Sequence, residues 1–281
     1  DVYKRQVYAS TPLLPILILL LTMGLAKNWD FVFGDISTAF LHADFKSVGT
    51  GFDKTSEYMW PPREFYPDFN TVWKMSRAVY GLKTSPKAWQ DYLAKELASM
   101  DFVRSTTEPN LYFHKEKEVI LLVYVDDLLF TGKREDIDFM FKKMQEKLKL
   151  RQTGDLSEDQ EADFLGRRLQ RRGQEIHVLP LLGQIEELLQ QAGMTDARGV
   201  VTPGLHNMKV TADLETTLGP QEHKDFRSVV GKLMWLSPLR PDMTYCIKEM
   251  ARAVTSPTME HLVRLKPVSY THLTLPTMRT V

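Results

Sequence analysis

The sequence predicts an α+β fold, an antiparallel sheet with helices on one face, followed by a small, mostly helical part. Three observations carry this. The apolar run Val119-Ile120-Leu121-Leu122-Val123-Tyr124-Val125 meets Asp126-Asp127 and resumes as Leu128-Leu129-Phe130, the pattern of a hairpin with acids at its turn. Apolar residues recur at helical spacing on both sides of it: Trp89, Tyr92, Leu93, Leu97 and Met100 before, Ile137, Met140, Phe141, Met144 and Leu148 after. Residues 184–192 and 224–253 also have a mostly helical pattern.

Taken in order, residues 12–26 form the first helix. Their apolar stretch is shorter than the roughly 20 residues of a membrane span and Pro15 interrupts it, so it reads as a core helix rather than a membrane segment. A short strand, Phe31-Val32-Phe33, ends at Asp35, and a loop rich in Gly and Pro occupies residues 49–67. The helix with Trp89, the hairpin and the helix with Ile137 follow. From 150 to 180 the chain turns polar, with an insertion-like stretch over 158–163 and then a strand pair; a boundary is expected near 180.

With 281 residues and 43% hydrophobic content, the chain can bury one large core or two ordinary ones. The single cysteine, Cys246, excludes an internal disulfide and a cysteine-rich zinc site, and its apolar helical surroundings make it a core residue. The seven histidines show no metal-ligand spacing, and His177, His206 and His261 read as surface residues. Both ends resemble translated sequencing adapter. Asp1-Val2-Tyr3-Lys4-Arg5-Gln6 is what GATGTGTATAAGAGACAG encodes, and Val268 to Thr277 follow from its reverse complement and continuation. Residues 1–6 and 267–281 are therefore expected to be non-native. Without Lys4, Arg5, Arg279 and Asp1, 33 basic and 35 acidic residues remain, a net charge of −2. That balance is weak for a nucleic-acid-binding chain unless basic segments belong to it elsewhere.

Two adjacent carboxylates interrupting an apolar run are costly unless something cationic answers them. A pair of magnesium ions is the natural candidate. Asp126 and Asp127 on the hairpin, with Asp35 at the end of a separate strand, could supply three carboxylates. Hard divalent cations prefer oxygen ligands, and two of them about 3.5–4 Å apart stabilise both the attacking and the leaving oxygens of a phosphoryl transfer.

The ordered motifs resemble the reverse transcriptase domain of copia-type LTR retrotransposons through almost all of residues 7–266. They are Asp35-Ile36-Ser37-Thr38-Ala39-Phe40-Leu41; Glu57-Tyr58-Met59 with Pro61-Pro62; Ala78-Val79-Tyr80-Gly81-Leu82-Lys83-Thr84-Ser85-Pro86-Lys87-Ala88-Trp89; Tyr124-Val125-Asp126-Asp127; Phe164-Leu165-Gly166; and Phe226 to Met234 with Leu239-Arg240-Pro241-Asp242. The resemblance implies a right-hand polymerase palm with partial fingers over 7–180 and a small, mostly helical thumb- or connection-like part over 181–266.

It also implies an RNA-directed DNA polymerase that extends a primer with deoxynucleoside triphosphates, using two Mg2+ ions for which Mn2+ could substitute. By the same resemblance, Asp35, Asp126 and Asp127 are the catalytic metal ligands, and Ile36, Phe40, Tyr80, Gly81 and Lys83 meet the nucleotide. Tyr124, Val125, Phe164, Leu165 and Gly166 meet primer and template. Basic residues 142–151 (Lys142, Lys143, Lys147, Lys149, Arg151) with Arg167, Arg168, Arg171 and Arg172 are candidates for phosphate contacts. Thr84 stands where the family commonly has Gln, and Glu108 where it prefers Asp. The implied partners are an RNA template, a DNA primer and the integrase and RNase H regions of a Pol polyprotein, with no membrane. The implied setting is a cytoplasmic virus-like particle with nuclear entry of the product complex. The isolated fragment is expected to be inactive for want of upstream fingers residues. A non-catalytic remnant of a decayed element, acting at most as a nucleic-acid-binding module, is the alternative.

Overall fold

The computed structural model describes residues 9–44, 58–65, 70–157, 160–180, 182–192, 211–273 and 279–280. Residues 1–6, Glu57, Glu158, His206 and the stretch 274–278 lie outside them. The chain divides into two compact units, residues 1–157 and 158–281. The strand pair placed before a boundary near 180 thus belongs wholly to the second unit.

In the first unit the elements are α1 (Leu14–Ala26), β1 (Asp30–Ile36), α2 (Ala39–His42), β2 (Tyr58–Met59), β3 (Trp73–Lys74), α3 (Ser85–Ala98), β4 (Phe102–Arg104), β5 (Leu111–His114), β6 (Val119–Tyr124), β7 (Asp127–Gly132), α4 (Arg134–Gln145) and β8 (Leu150–Asp155). Six strands form one sheet in the order β4-β5-β6-β7-β1-β8. Every neighbouring pair is antiparallel. β2 and β3 make a separate ribbon.

Strand pleat sends alternate residues to opposite faces. Val32, Ile36, Leu121, Val123, Leu128 and Phe130 share one face and pack against Trp89, Leu93 and Leu97 of α3 and Ile137, Met140, Phe141 and Met144 of α4. Gly34 lets α4 come close: a Cβ there would lie 2.9 Å from Leu150 Cδ1 and 3.1 Å from the Phe141 ring.

Phe31, Phe33 and Leu129, on the other face, are buried too. α1 lies against the far end of that face, where Gly24 meets Phe31 and Thr131 so closely that a Cβ would fall 2.4 Å from the Phe31 ring. Helices α3 and α4 thus pack on one face, and α1 rests against part of the second. The reason lies in the strands: consecutive apolar residues in β1 and β7 need partners on both sides. Pro15 occupies the first turn of α1, where its missing N–H is harmless, so it starts this helix instead of interrupting it. Among the described residues no helix is long and apolar enough to cross a membrane.

In the second unit β9 (Glu161–Phe164), β10 (Arg167–Arg172), β11 (Glu175–Pro180) and β12 (Arg279–Thr280) form an antiparallel sheet in the order β12-β11-β10-β9. The stretch read as insertion-like contributes Glu161 and Asp163 to β9, where they alternate with buried Ala162 and Phe164. α5 (Leu182–Gln191), α6 (Pro220–Leu236), α7 (Thr244–Arg252) and α8 (Met259–Leu273) follow. Phe226, Val229, Val230, Leu233, Ile247, Met250 and Leu265 form their shared core, with Cys246 packed against it as a half-buried residue. His177, expected at the surface, is buried in β11 with only Nε2 facing Glu175, at 3.4 Å. A strand-centre position outweighed its polarity.

Candidate active site

The register of the first sheet sets four polar side chains in one row. Tyr124 of β6 pairs with Asp127 of β7, Asp127 with Asp35 of β1, and Asp35 with Arg151 of β8. Directly paired residues in a ladder point to the same face. That face is the one α1 covers only at its far end, so the same strands that bury Phe31 and Phe33 present Asp35 and Asp127 beyond the covering helix. Arg151 Nη2 donates to Asp35 Oδ2 at 3.3 Å, and its side chain is 71% exposed, so this is a loose ion pair at the rim.

Asp126 is in the two-residue turn that joins β6 to β7. Tight hairpin turns require positive φ at the first central residue. Val125 supplies it at φ 55°. A β-branched residue there is a backbone outlier that costs on the order of 1–3 kcal/mol. Its surroundings hold it: Ile36 N donates to Asp126 O at 2.9 Å, Trp89 Nε1 donates to Val125 O at 2.6 Å, and the Val125 side chain packs on the α3-side core.

The carboxylates feel one another. Burial, then Asp126, then Asp35, push the Asp127 carboxyl from an ordinary 3.8 up to about 6. Because the folded value lies above the unfolded one, the folded protein keeps a proton between about pH 4 and 6 that the unfolded chain has released. Stability from this group therefore falls as pH rises through that window. In the absence of divalent ions, Asp127→Asn is expected to raise stability at pH 7.5 by about 1–2 kcal/mol, after discounting for solvent around a half-buried group, and to leave it little changed at pH 4. Thermal unfolding of both proteins across pH 4–8 measures this; parallel curves would contradict it.

Tyr80 joins the same cluster. Burial, then the charges of Asp126 and Asp35, raise its pKa, and its ring meets that of Phe40 with centroids 4.5 Å apart. Of the two, Tyr80 is 56% exposed and Phe40 only 7%, so the exposed aromatic surface beside the acids belongs to Tyr80. Gly81 adopts φ 94° with open space around it, and Lys83 is exposed in the turn leading to α3. Ile36, buried beside Asp35, offers only backbone to the site.

Among the described residues no three His, Cys, Asp or Glu side chains are placed to hold one ion unaided. The donor chemistry still fits magnesium, which is characteristically bound through one or two carboxylates completed by substrate phosphates and water. Asp35 and Asp126, with the mutual repulsion recorded at Asp127, are the residues that would hold it.

In the second unit Phe164-Leu165-Gly166-Arg167 is a two-residue hairpin turn, with Leu165 at φ 52° and Gly166 at φ 68°. Phe164 is buried, so the surface of this turn belongs to Leu165 and Gly166. The arginines expected to reach phosphates are largely engaged. Arg167 is 6% exposed, donates to Leu165 O at 3.2 Å and Trp235 O at 3.1 Å, and lies 4.2 Å over the Trp235 ring. Trp235 O is at the C-terminal, negative end of α6, which answers the buried charge. Arg168 pairs with Asp163 at 3.1 Å and Glu161 at 3.7 Å. In the first unit Lys147 pairs with Glu96 at 3.0 Å, while Lys142 and Lys149 are exposed.

Sequence reasoning placed Trp89 only in the core; its indole donor to the acid-bearing turn gave no signal in the pattern. Glu108 was read as atypical, yet its Oε1 accepts from Asn110 N at 3.1 Å and Nδ2 at 3.2 Å, and Asn110 O in turn accepts from Val123 N at 2.9 Å.

The model of the family described as reverse transcriptase (RNA-dependent DNA polymerase) matches residues 2–206. The chain is 30% identical over 270 residues to the retrovirus-related Pol polyprotein from transposon RE1 of Arabidopsis thaliana, covering 93% of this chain and 17% of that protein. It is 30% identical over 250 residues to the corresponding polyprotein from transposon TNT 1-94 of Nicotiana tabacum, covering 83% of this chain and again 17% of the relative. The chain thus spans about 17% of the length of these curated relatives. Among solved structures it is similar to telomerase from Candida albicans in complex with a fragment of telomeric RNA, at 9% identity and a TM-score of 0.30, covering 94% of this chain and 50% of that one. That likeness is too slight to bear on the fold.

Proposed function

We propose that this chain, which belongs to the reverse transcriptase (RNA-dependent DNA polymerase) family, carries the polymerase centre of a copia-type Pol polyprotein, joining a deoxynucleotide to a primer 3′ end on an RNA template. The observation that carries the reading is the placement of Asp35, Asp127 and Asp126 at one end of paired strands and their turn.

Asp35 and Asp126 would hold two Mg2+ ions, or Mn2+ in their place, with Asp127 adding negative charge and Ile36 its backbone. Bound there, the ions would supply Lewis-acid stabilisation to the attacking 3′-hydroxyl and the leaving pyrophosphate. Asp127, with its raised pKa, would need to be ionised for full function, which favours neutral or alkaline pH. Tyr80, its ring tilted against that of Phe40, would wall the position of the incoming sugar and exclude a 2′-hydroxyl, the atom that separates ribo- from deoxynucleotides. Gly81 and Lys83 would face its phosphates. Tyr124 and Val125 would contact the primer terminus and template, and Leu165 with Gly166 the primer strand, Phe164 supporting them from the core.

In this reading residues 7–180 are palm and partial fingers, residues 181–266 a thumb- or connection-like part, and integrase and RNase H are neighbours in the polyprotein. The cytoplasmic particle setting belongs to the same proposal. The rival reading, a non-catalytic remnant, drew on Glu108 and on the polar stretch before Phe164. Glu108 has its partner in Asn110, and Glu161 and Asp163 belong to β9, so none of the three argues for decay. The test is primer extension on an RNA template by the polyprotein segment that contains this chain. Mg2+-dependent DNA complementary to the template is the expected product; binding of primer–template without any extension would favour the remnant.

A further inference from the structure

We infer that Trp89 is a positioning residue of the proposed polymerase centre, acting through its indole N–H on the carbonyl of Val125 to hold the turn that carries Asp126. The inference rests on the polymerase reading but concerns a contact within the first unit.

Trp89 is 2% exposed, on the face of α3 turned to the sheet. Its Nε1 donates to Val125 O at 2.6 Å. That bond joins residues 36 positions apart, and it lands on the one residue of the turn in the left-handed region, Val125 at φ 55°. A β-branched residue leaves that region readily unless its surroundings prevent it. Packing alone does so incompletely. A cavity of about 260 Å3 lies beneath the turn, lined in part by Phe40, Trp89, Leu93, Tyr112, Val123 and Val125. With open volume on that side, a directed hydrogen bond is what fixes the carbonyl, and with it the peptide that leads into Asp126. The second tether, Ile36 N to Asp126 O at 2.9 Å, holds the other end of the turn to β1. The two bonds together set Asp126 relative to Asp35.

Phenylalanine would fill most of the same space and offer no donor. β-(3-Benzothienyl)alanine, which replaces the indole N–H with sulfur, would keep the shape almost unchanged. The structure-breaking and tether-breaking effects can therefore be separated. If Val125 needs the tether because its φ is strained, glycine at that position, free of the strain, should make the tether dispensable.

The experiment compares the polyprotein segment with Trp89→Phe, with the benzothienyl analogue at position 89, and with each combined with Val125→Gly. Hydrogen exchange is measured over the peptide spanning 119–130, and kcat and KM are measured in primer extension. Expected is faster exchange at the turn in both position-89 variants, with kcat lowered roughly 10- to 100-fold and the nucleotide KM within about threefold. In the Val125→Gly background the same change should cost kcat less than about threefold. Unchanged exchange at the turn, or an equal loss of kcat in both backgrounds, overturns the inference. Should the parent protein fail to extend primers at all, the polymerase reading falls, while the exchange measurement still decides whether Trp89 holds the turn.

Discussion

Asp126→Asn is expected to lower Mg2+-dependent primer extension by roughly 10^3-fold or more, since a lost ligand to a Lewis acid worth several kcal/mol translates into about tenfold for each 1.4 kcal/mol. Folding should not suffer. Asp126 is half-exposed in the turn, makes its tethering bond through its backbone carbonyl, and adds repulsion to Asp127. Removing its charge relieves Asp127, so the melting temperature without divalent ions should stay level or rise slightly. Asp35→Asn should have a similar effect on extension and should also free Arg151, whose recorded partner is Asp35 Oδ2. Extension kinetics on one primer–template, beside thermal unfolding of the same preparations, measure both effects. Retained activity in either variant would remove that carboxylate from the mechanism; lost activity with a large fall in stability would mark a folding defect instead.

Gly132→Ala should be the most damaging conservative change to the first unit. Gly132 ends β7 and pairs with Asp30 on one side and Val119 on the other. A Cβ built there would come within 2.3 Å of Glu118 O and 3.2 Å of Val119 Cα, both backbone atoms. A flexible side chain could swing aside; a strand backbone cannot do so without breaking the β6–β7 ladder that carries the acids. Overpacking of this kind costs about 1–3 kcal/mol and sometimes more, here taken at the upper end because the obstruction is main chain. In a unit of this size that corresponds to a fall in melting temperature of roughly 5–10 °C. Gly173 provides the control. It lies in the β10–β11 turn at φ 57° with nothing within 4 Å of a built Cβ, so Gly173→Asn, a residue tolerant of that region, should change stability little. Equal effects at the two glycines would show that the close approach at Gly132 is not a real constraint.

Much of this was legible in the residues. Asp126-Asp127 inside an apolar run foretold the hairpin because local alternation and turn chemistry act over a few positions. The helices with Trp89 and Ile137 followed from a period that burial imposes directly. The row from Tyr124 to Arg151 was half-legible: the family resemblance implied Asp35 and Asp127, but the pairing of β1 with β8, which brings Arg151 beside Asp35, joins residues 116 apart and leaves no local mark. The same limit hid the indole bond of Trp89. Apolar spacing says that an aromatic is buried, not where its one donor points. Polarity misled in the second unit for a related reason. Glu161, Asp163 and His177 are strand residues because pairing and the burial of their neighbours outweigh their own preference for solvent, and Arg167 is buried because an indole face and a helix end receive its charge.

In the proposed polymerase centre Asp35 and Asp126 jointly hold the divalent ions. Replacing Mg2+ with Fe2+ and adding peroxide, in the presence of primer–template and nucleotide, generates short-lived radicals that cut the chain beside the bound ion. Cuts are expected next to residues 35–36 and 125–127, suppressed by excess Mg2+ and lost in Asp126→Asn. Cuts confined to other parts of the chain, or cuts at these positions that survive the substitution, would contradict it.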